Sequence, residues 1–288
     1  MREIADHAEL LARYGEDTLC RWVAQAPDGR GRAWHSPDGR AVAVARPALS
    51  RRDRLAVSGP PEAAVPLVRA VLAEVGPTFR PLGDRALIEA LVDGIPELAA
   101  VGAFGWMDCQ ANPEQPAASG PATIPGRPAT PDKATTSGQP AMPGQPAASW
   151  HPGATDLGRP GPGWLGAAAL PEVAVLMAHA FPSSHAKPGA EGVERWAGVR
   201  GEDGRLLAVA ALAWSAPTVG LISGVAVDPA ARGRGLGRAI CSFLLGEALA
   251  GHGTAALMVG GENHTARQLY RSLGMRHRAV AAAAITTA

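Results

Sequence analysis

The sequence predicts an α/β fold, because strand-like and helix-like segments alternate from Trp164 onward. The runs "VERWAGVR" and "RLLAVAALAW" are strand-like and are joined by "GEDG", which is typical of a β-hairpin. The apolar strand "TVGLISGVAV" then leads through a glycine- and arginine-rich loop into a helix, where Leu236, Ile240 and Leu244 recur at helical spacing. A further strand, "TAALMV", covers 254–259 and precedes the last helix.

Two helices flank these strands. The segment 171–181 begins with Pro171, which is favoured in a first helical turn. The segment 264–273 has Asn263 as a candidate N-cap and a glycine after its end. One face of this last helix carries Ala266, Leu269, Tyr270 and Leu273.

The chain of 288 residues is long enough for two domains and divides into three parts: 1–109, 110–163 and 164–288. The middle part holds 12 of the 26 prolines and the near-repeats "GQPA", with few large apolar residues. Such a segment cannot repay its ordering entropy, so we expect a disordered or polyproline-like linker. Recognition of its prolines by a partner is the alternative.

The N-terminal part is weakly similar in sequence pattern to the C-terminal part. The stretch "AWHSPDGRAVAVA" (33–45) parallels "GVRGEDGRLLAVA" (198–210) as strand, turn and strand. A strand over 54–59 then precedes a helix over 60–75. No glycine–arginine stretch lies between that strand and that helix.

Composition excludes several classes of function. The formal net charge of +1 does not favour binding to nucleic acid or to a membrane surface. Cys20, Cys109 and Cys241 are odd in number and far apart, which argues against disulfides and a zinc site and suits a reducing cytoplasm. The charged N-terminus lacks an apolar signal core, and no apolar run approaches the length of a membrane span. We therefore expect a cytoplasmic protein without a metal.

The stretch "VDPAARGRGLGRAI" (227–240) predicts an anion site, since it runs from a strand through a glycine-rich loop to a helix N-terminus. Its key residues are Arg232, Gly233, Arg234, Gly235, Gly237 and Arg238. The P-loop is excluded because the stretch has no lysine, and the dinucleotide fingerprint because Arg238 replaces its third glycine. A flexible surface loop with solvated arginines is the alternative.

Two motifs together resemble the GCN5-related N-acetyltransferase (GNAT) family over about 164–288. The first is its Arg/Gln-x-x-Gly-x-Gly/Ala pattern, present as Arg232, Gly235 and Gly237. The second is its pattern on the late helix, present as Asn263, Ala266, Leu269, Tyr270, Leu273 and Gly274. Within the family, the chain is most similar to the glycine N-acyltransferase-like (FR47-like) branch, in which a degenerate N-terminal copy precedes the active one.

The resemblance implies a GNAT fold, a mixed and mostly antiparallel twisted sheet flanked by helices. It implies two tandem GNAT-like domains, a degenerate one over 1–109 and an acyl-CoA-binding one over 164–288. The family usually ends with two more strands after the late helix, but only 13 residues follow Met275 here. We expect the N-terminal domain or a partner chain, in a possible homodimer, to supply the missing edge.

The resemblance also implies a reaction, in which an amine attacks acetyl-CoA directly and no covalent enzyme intermediate forms. Backbone groups of Val225, Ala226 and Val227 would meet the pantetheine arm and polarise the thioester. The loop 232–238, which includes Leu236, would hold the diphosphate. Asn263 would contact the CoA molecule, and Tyr270 would protonate the leaving thiolate.

The proton acceptor is a departure from the family, in which a carboxylate often serves. Met258 occupies that position, and no acidic residue lies in 218–227 or 254–259. The other candidate bases are Glu262, His264, His179 and His185. Without a base the acceptor needs a low-pKa amine, which favours an amino-acid derivative or a peptide N-terminus and leaves other small-molecule amines open. A catalytically weak or inactive acyl-CoA-binding module is the alternative function.

For two further groups of residues we expect a structural role only. Trp196 and Trp214 lie on predicted strands and are expected in the core. Arg51, Arg52 and Arg54 form a charge run, which usually marks a solvated face.

Overall fold

The computed structural model describes residues 1–24, 30–111 and 161–286. Their strands are β1 Arg2–Ile4, β2 Arg32–His35, β3 Val42–Leu49, β4 Arg52–Ser58, β5 Arg80–Asp84, β6 Leu98–Gln110, β7 Gly163–Trp164, β8 Val193–Arg200, β9 Leu206–Ala213, β10 Gly220–Val227, β11 Thr254–Gly260 and β12 Arg276–Ile285. Their helices are α1 His7–Tyr14, α2 Thr18–Ala24, α3 Pro61–Val75, α4 Arg85–Gly94, α5 Leu170–Ala180, α6 Leu236–His252 and α7 His264–Ser272.

The strands form one mixed sheet in the order β1-β2-β3-β4-β5-β12-β6-β11-β10-β9-β8-β7. Only the pairs β4–β5 and β10–β11 are parallel, as expected for a mostly antiparallel sheet. The predicted α/β class is confirmed. The strands and helices expected from 164 onward lie within one or two residues of their predicted bounds, and β8 matches at both ends.

The last strands of the two parts are exchanged in the middle of the sheet. β12 pairs with β5 and β6, and β6 also pairs with β11. The residues after Met275 therefore form one long strand rather than a hairpin, and its neighbours come from the N-terminal part. The missing edge is supplied within the chain, as one of the two expectations had it.

The limits of the predicted linker need correction at both ends. Gln110 is the last residue of β6, and Gly163 begins β7, so both lie within strands. The Ala111 N–H also donates to the Gly253 carbonyl over 2.9 Å. The remainder of the linker, 112–160, lies outside the described residues.

The core lies on both faces of the sheet. On one face α2 and α5 cover a cluster that crosses the middle of the sheet and includes Trp22, Trp106, Trp196 and Trp214. The Trp22 indole donates to the Trp214 carbonyl over 2.7 Å, which joins the two parts. On the other face α3 and α4 cover the N-terminal strands, while α6 and α7 cover the C-terminal ones. The prediction that Trp196 and Trp214 are core residues is confirmed, with 3% and 8% of their surface exposed.

A charged contact also connects the parts through β12. The Arg278 guanidinium donates to both carboxylate oxygens of Asp17 over 2.9 and 3.0 Å, and its Nε lies 3.3 Å from Asp84. Burial raises the pKa of Asp17, but the hydrogen bonds and charge of Arg278, together with hydrogen bonds from Cys20 and Ser58, outweigh it, so the pKa lies below its ordinary value. The ionised pair therefore stabilises the exchanged arrangement.

Candidate functional site

The candidate site begins where β10 separates from β11. The two strands pair at only three positions, of which Ile222 with Leu257 is the last. Beyond it β10 stays paired with β9 but has a bulge between Ser223 and Ala226. Gly224 lies in this bulge at φ 62°, and a Cβ there would come within 2.8 Å of the Trp196 ring. The bulge thus depends on glycine, and among the described residues no strand pairs with the backbone of β10 beyond it on the β11 side.

A cleft of about 610 Å³ opens at this separation, and we call it the loop cleft. Ten of the twelve predicted site residues line it: Val225, Ala226, Val227, Arg232, Gly233, Gly235, Leu236, Gly237, Asn263 and Tyr270. They come from β10, the following loop, the start of α6 and the start and middle of α7. The structure thus brings together residues that the sequence places in two separate motifs.

The loop before α6 is shaped by a cap and two glycines. The Asp228 carboxylate accepts from the Ala230 N–H over 2.9 Å and fixes a single 3₁₀ turn. Gly233 and Gly235 have φ of 76° and 77°, which glycine adopts without strain, and an added Cβ at either would meet nothing within 4 Å. Since the first N–H groups of any helix lack intrahelical partners, the start of α6 offers unpaired donors beside open space.

The arginines of the loop differ in direction. Arg232 lines the loop cleft, whereas Arg234 and Arg238 do not. Arg238 donates to the Ser272 hydroxyl over 2.7 Å, and Arg234 reaches the Ala230 carbonyl over 3.4 Å. Leu236 is 7% exposed, so its side chain belongs to the core and only its backbone serves the cleft.

Tyr270 lines the loop cleft and is 6% exposed. Burial, with a hydrogen bond to the Cys241 thiol, raises the pKa of Tyr270 well above its ordinary value, so the phenol is protonated at neutral pH. Burial likewise raises the pKa of Cys241 to about 12, which leaves an unreactive thiol. Asn263 caps α7 as predicted, since its side chain accepts from the Ala266 N–H over 3.0 Å.

A second cavity of about 470 Å³ shares Phe181, Val225, Asn263, Ala266 and Tyr270 with the loop cleft. Its wall includes Ser183, Ser184, His185, Trp214, Leu221 and Met258 from the C-terminal part. The N-terminal part adds Ser50, Arg54 and Phe104. No local pattern in the sequence predicts that these three line the site, because only the fold brings them to the other motifs.

The prediction for Arg54 was wrong. Arg51 and Arg52 are exposed as expected of a solvated charge run, but Arg54 is only 8% exposed. Burial, together with the charges of Arg52 and Arg80, lowers the pKa of Arg54 to about 10. Arg52 and Arg54 lie two residues apart and share one face of β4, but Arg52 begins the strand, whereas Arg54 lies between Arg46 of β3 and Arg80 of β5.

Of the four candidate bases, only His185 lines either cavity. Burial and the charges of Arg54, Arg52 and Arg51 lower its pKa, so its imidazole is neutral at pH 7. Met258 lines the second cavity, and among the described residues no carboxylate lines either one.

The described residues hold no group of three or more His, Cys, Asp or Glu side chains placed to bind a metal ion. Within the same ranges, no helix has both the length and the apolar character needed to span a membrane.

Part of the chain resembles a known protein family in sequence. Residues 177–275 match the model of the family described as Acetyltransferase (GNAT) family. This segment runs from α5 to the end of α7 and contains both predicted motifs. A search of curated proteins gives no significant match.

Solved structures resemble the fold over nearly the whole chain. A GCN5-related N-acetyltransferase from Kribbella flavida is 15% identical, with 97% of this chain and 96% of that one covered and a TM-score of 0.52. A Drosophila protein is 14% identical, with coverage of 99% and 98% and a TM-score of 0.54. A GCN5-related N-acetyltransferase from Sphaerobacter thermophilus is 16% identical, with coverage of 93% and 84% and a TM-score of 0.50. Residues 177–275 are thus similar to the GNAT acetyltransferase family, and these structures support an α/β fold of the same kind.

Proposed function

We propose that this protein is an N-acetyltransferase that moves the acetyl group of acetyl-CoA to a primary amine within a ternary complex. The family supported by residues 177–275 uses acetyl-CoA as its acyl donor. The observation that carries the proposal is the meeting of two cavities at Tyr270, one beside the glycine–arginine loop and one without such a loop. The donor occupies the loop cleft and the amine the second cavity.

The loop cleft suits a long anionic donor. Unpaired N–H groups at the start of α6 and the guanidinium of Arg232 hold the diphosphate. Gly233 and Gly235 leave the backbone open to it. Backbone groups at 225–227, freed by the separation of β10 from β11, hold the pantetheine arm and stabilise the oxyanion of the tetrahedral intermediate.

In the chemical step, the amine nitrogen attacks the thioester carbon, so a C–N bond forms and the C–S bond breaks. Tyr270 gives its proton to the departing thiolate and recovers one, through water, from the attacking nitrogen, which loses a proton as it becomes the amide. Its raised pKa makes a free proton transfer to a thiolate unfavourable, so the transfer is concerted with collapse of the intermediate. Positioning of the two substrates and oxyanion stabilisation supply the rest of the rate.

The amine must lose its own proton before it attacks. His185 is neutral at pH 7 and lines the second cavity, so it accepts that proton, directly or through water. The positive charges of Arg54 and its neighbours also disfavour a bound ammonium ion and lower the pKa of the acceptor. Both effects replace the missing carboxylate.

The N-terminal part belongs to the same proposal. We assign 1–109 as a degenerate GNAT-like copy of the glycine N-acyltransferase-like branch and 164–288 as the catalytic copy. In support, both parts run through strands, a helix, a parallel strand, a further helix and a last strand in the same order. The degenerate copy supplies β6 and part of the second cavity rather than a second donor site.

A second candidate function is an acyl-CoA-binding module without catalysis. It is favoured by the lack of a carboxylate on the walls of both cavities in the described residues.

Turnover and binding separate the two candidates. The purified protein is incubated with acetyl-CoA and a panel of amines, while free thiol is followed and products are identified by mass spectrometry. Amine-dependent thiol release with a matching acetylated product supports the enzyme. Calorimetric binding of CoA without any such product supports the binding module, and the absence of both rejects the two proposals.

A further inference from the structure

Trp214 follows the end of β9 in a conformation that a large side chain rarely adopts. Its φ is 57°, in the left-handed region, where a bulky residue is strained. Within 161–286 it is the only non-glycine residue described with a positive φ. Such strain persists only where the surrounding structure enforces it, and it is concentrated at ligand-binding segments. Trp214 must therefore be held in place by its neighbours.

The loop before β8 provides two of the contacts that hold Trp214. The Trp214 N–H donates to the Gly192 carbonyl over 2.6 Å, and the indole N–H donates to the Glu191 carbonyl over 3.0 Å. A Cβ at Gly192 would come within 2.2 Å of the Trp214 ring, so the ring packs against this backbone. Because the indole N–H is already bonded, Trp214 offers the face and edge of its ring to the second cavity.

A third contact comes from the N-terminal part. The Trp22 indole of α2 donates to the Trp214 carbonyl over 2.7 Å, and this hydrogen bond is buried. Trp22 itself is fully buried and lines neither cavity of the site. Because a buried carbonyl without a donor is costly, the bond from Trp22 favours the strained conformation in which this carbonyl points to α2.

The same helix also contacts the other end of the segment that connects β9 to β10. Arg21, which precedes Trp22, donates to the Thr218 carbonyl over 3.1 Å. Leu221 of β10 lines the second cavity, and its N–H donates to the Ser215 hydroxyl over 3.2 Å. The N-terminal part thus holds both ends of a connection that leads directly into the wall of this cavity.

We propose that Trp22 is a positioning residue for the amine acceptor, which acts through Trp214 without touching the acceptor itself. Its hydrogen bond keeps the Trp214 ring in the wall of the second cavity. The inference rests on the proposed function, in which this cavity holds the amine. It gives the N-terminal part an influence on acceptor binding beyond the side chains that it contributes to the cavity wall.

A purely structural role is the alternative, because Trp22 also packs in the core. The centroid of the Trp106 ring lies 5.6 Å from that of the Trp22 ring, and the Trp106 indole donates to the Thr18 hydroxyl over 2.8 Å. This bond stays within the N-terminal part, so Trp106→Phe removes the same kind of buried donor without releasing Trp214. Trp106→Phe is therefore the matched control for Trp22→Phe.

Steady-state kinetics of the full chain test the inference with acetyl-CoA and 2-phenylethylamine. This apolar primary amine suits a cavity lined by Phe104, Phe181 and Met258, and the best-acetylated amine of the panel replaces it if it is not a substrate. In Trp22→Phe we expect KM for the amine to rise about five-fold or more, the scale of one lost buried hydrogen bond. The kcat and the Kd for CoA should change less than about two-fold, as should every parameter in Trp106→Phe.

A double-mutant cycle assigns the effect to Trp214. Glycine adopts a φ of 57° without strain and has no ring, so Trp214→Gly should raise KM by itself and make it insensitive to Trp22→Phe. If Trp22 acted through overall stability, Trp22→Phe would raise KM by the same factor in both backgrounds.

Contrary results leave the acetyltransferase standing. An unchanged KM in a folded Trp22→Phe, or equal factors in the two backgrounds of the cycle, overturns the inference. If Trp22→Phe does not fold, 3-benzothienylalanine is incorporated in place of Trp22, because it keeps the bicyclic ring and replaces the N–H by sulfur. The same changes in KM are then expected, and their absence has the same meaning.

Hydrogen exchange measures the hold on Trp214 without turnover. The amides of 214–221 should exchange at least about ten-fold faster in Trp22→Phe than in the wild-type protein, and Trp106→Phe should leave them unchanged. If no amine is acetylated, the proposed function fails, and faster exchange in Trp22→Phe alone still supports the hold of Trp22 on the cavity wall. Equal exchange of 214–221 in the wild-type protein and Trp22→Phe overturns the inference whether or not the protein is active.

Discussion

The two parts of the chain differ most where a parallel strand leads into the following helix. In the C-terminal part the connection from β10 to α6 contains a capped turn and two glycines in open space. In the N-terminal part the connection from β4 to α3 is only Gly59 and Pro60, and α3 itself begins with Pro61. Proline has no N–H, so the N-terminal connection lacks donors at the position where the C-terminal one offers them.

Packing reinforces this difference. A Cβ at Gly59 would come within 2.5 Å of the Arg40 carbonyl oxygen, whereas none of the heavy atoms around Gly233 or Gly235 comes within 4 Å of such a Cβ. One connection is therefore closed and the other is open to a ligand. The same order of elements thus yields two different loops, because a short sequence decides whether helix donors are accessible.

Separation of the two parts should have the largest effect. The fragment 164–288 alone leaves β12 without β5 and β6, and β11 without β6, so it should show no cooperative unfolding transition. Addition of 1–111 should restore folding. The control is the full chain cut by protease within 112–160, whose two pieces should co-elute. A cooperative melt of 164–288 by itself would mean that the strand exchange is not needed.

Arg278→Met tests the charged contact between the parts. It leaves the carboxylate of Asp17 buried without its partner, and we expect a loss of about 2 kcal/mol in the free energy of unfolding, discounted because Arg278 is 31% exposed. Arg276→Met is the control, since that side chain is 70% exposed and its loss should cost less than about 0.5 kcal/mol. If urea unfolding gave equal losses for the two substitutions, the contact between Arg278 and Asp17 would not contribute to the stability of the interface between the parts.

The same pair predicts a dependence of stability on pH. Because the pKa of Asp17 is lowered in the folded protein, its stabilising effect is complete above the unfolded pKa of about 3.9 and is lost as pH falls toward the folded pKa. Below about pH 4, wild-type and Arg278→Met stabilities should therefore converge. A constant difference from pH 7 to pH 3 would contradict the assignment.

Each part contains one tyrosine, and we expect only the tyrosine of the C-terminal part to contribute to kcat. Tyr270→Phe keeps the ring in the core and removes the proton donor, so kcat should fall at least about ten-fold while the affinity for CoA and the Tm change little. The Tyr14 hydroxyl donates to the Gly39 carbonyl over 2.8 Å and Tyr14 lines neither cavity of the site, so Tyr14→Phe should leave kcat unchanged. Wild-type kcat in Tyr270→Phe would return Tyr270 to a packing role and leave water as the acid.

Local patterns determined how much the sequence could predict. β8 and the helix α7 were predicted closely because alternation, capping and a glycine stop are all encoded within a few residues. The gathering of residues at the loop cleft was also predicted, because two motifs carry it. Local patterns could not predict the exchange of β6 and β12 or the burial of Arg54. Both features depend on which distant strands pair.

Calorimetric titration of CoA tests the central claim most directly, namely that only the C-terminal part binds the donor. Gly235→Val places a branched side chain in the open space of the loop, and Gly76→Val places the same side chain at another open, positive-φ glycine in the N-terminal part. We predict one CoA per wild-type chain, a Kd raised by about ten-fold or more in Gly235→Val, and an unchanged Kd in Gly76→Val. Two CoA molecules per chain, or an unchanged Kd in a folded Gly235→Val, would contradict the claim.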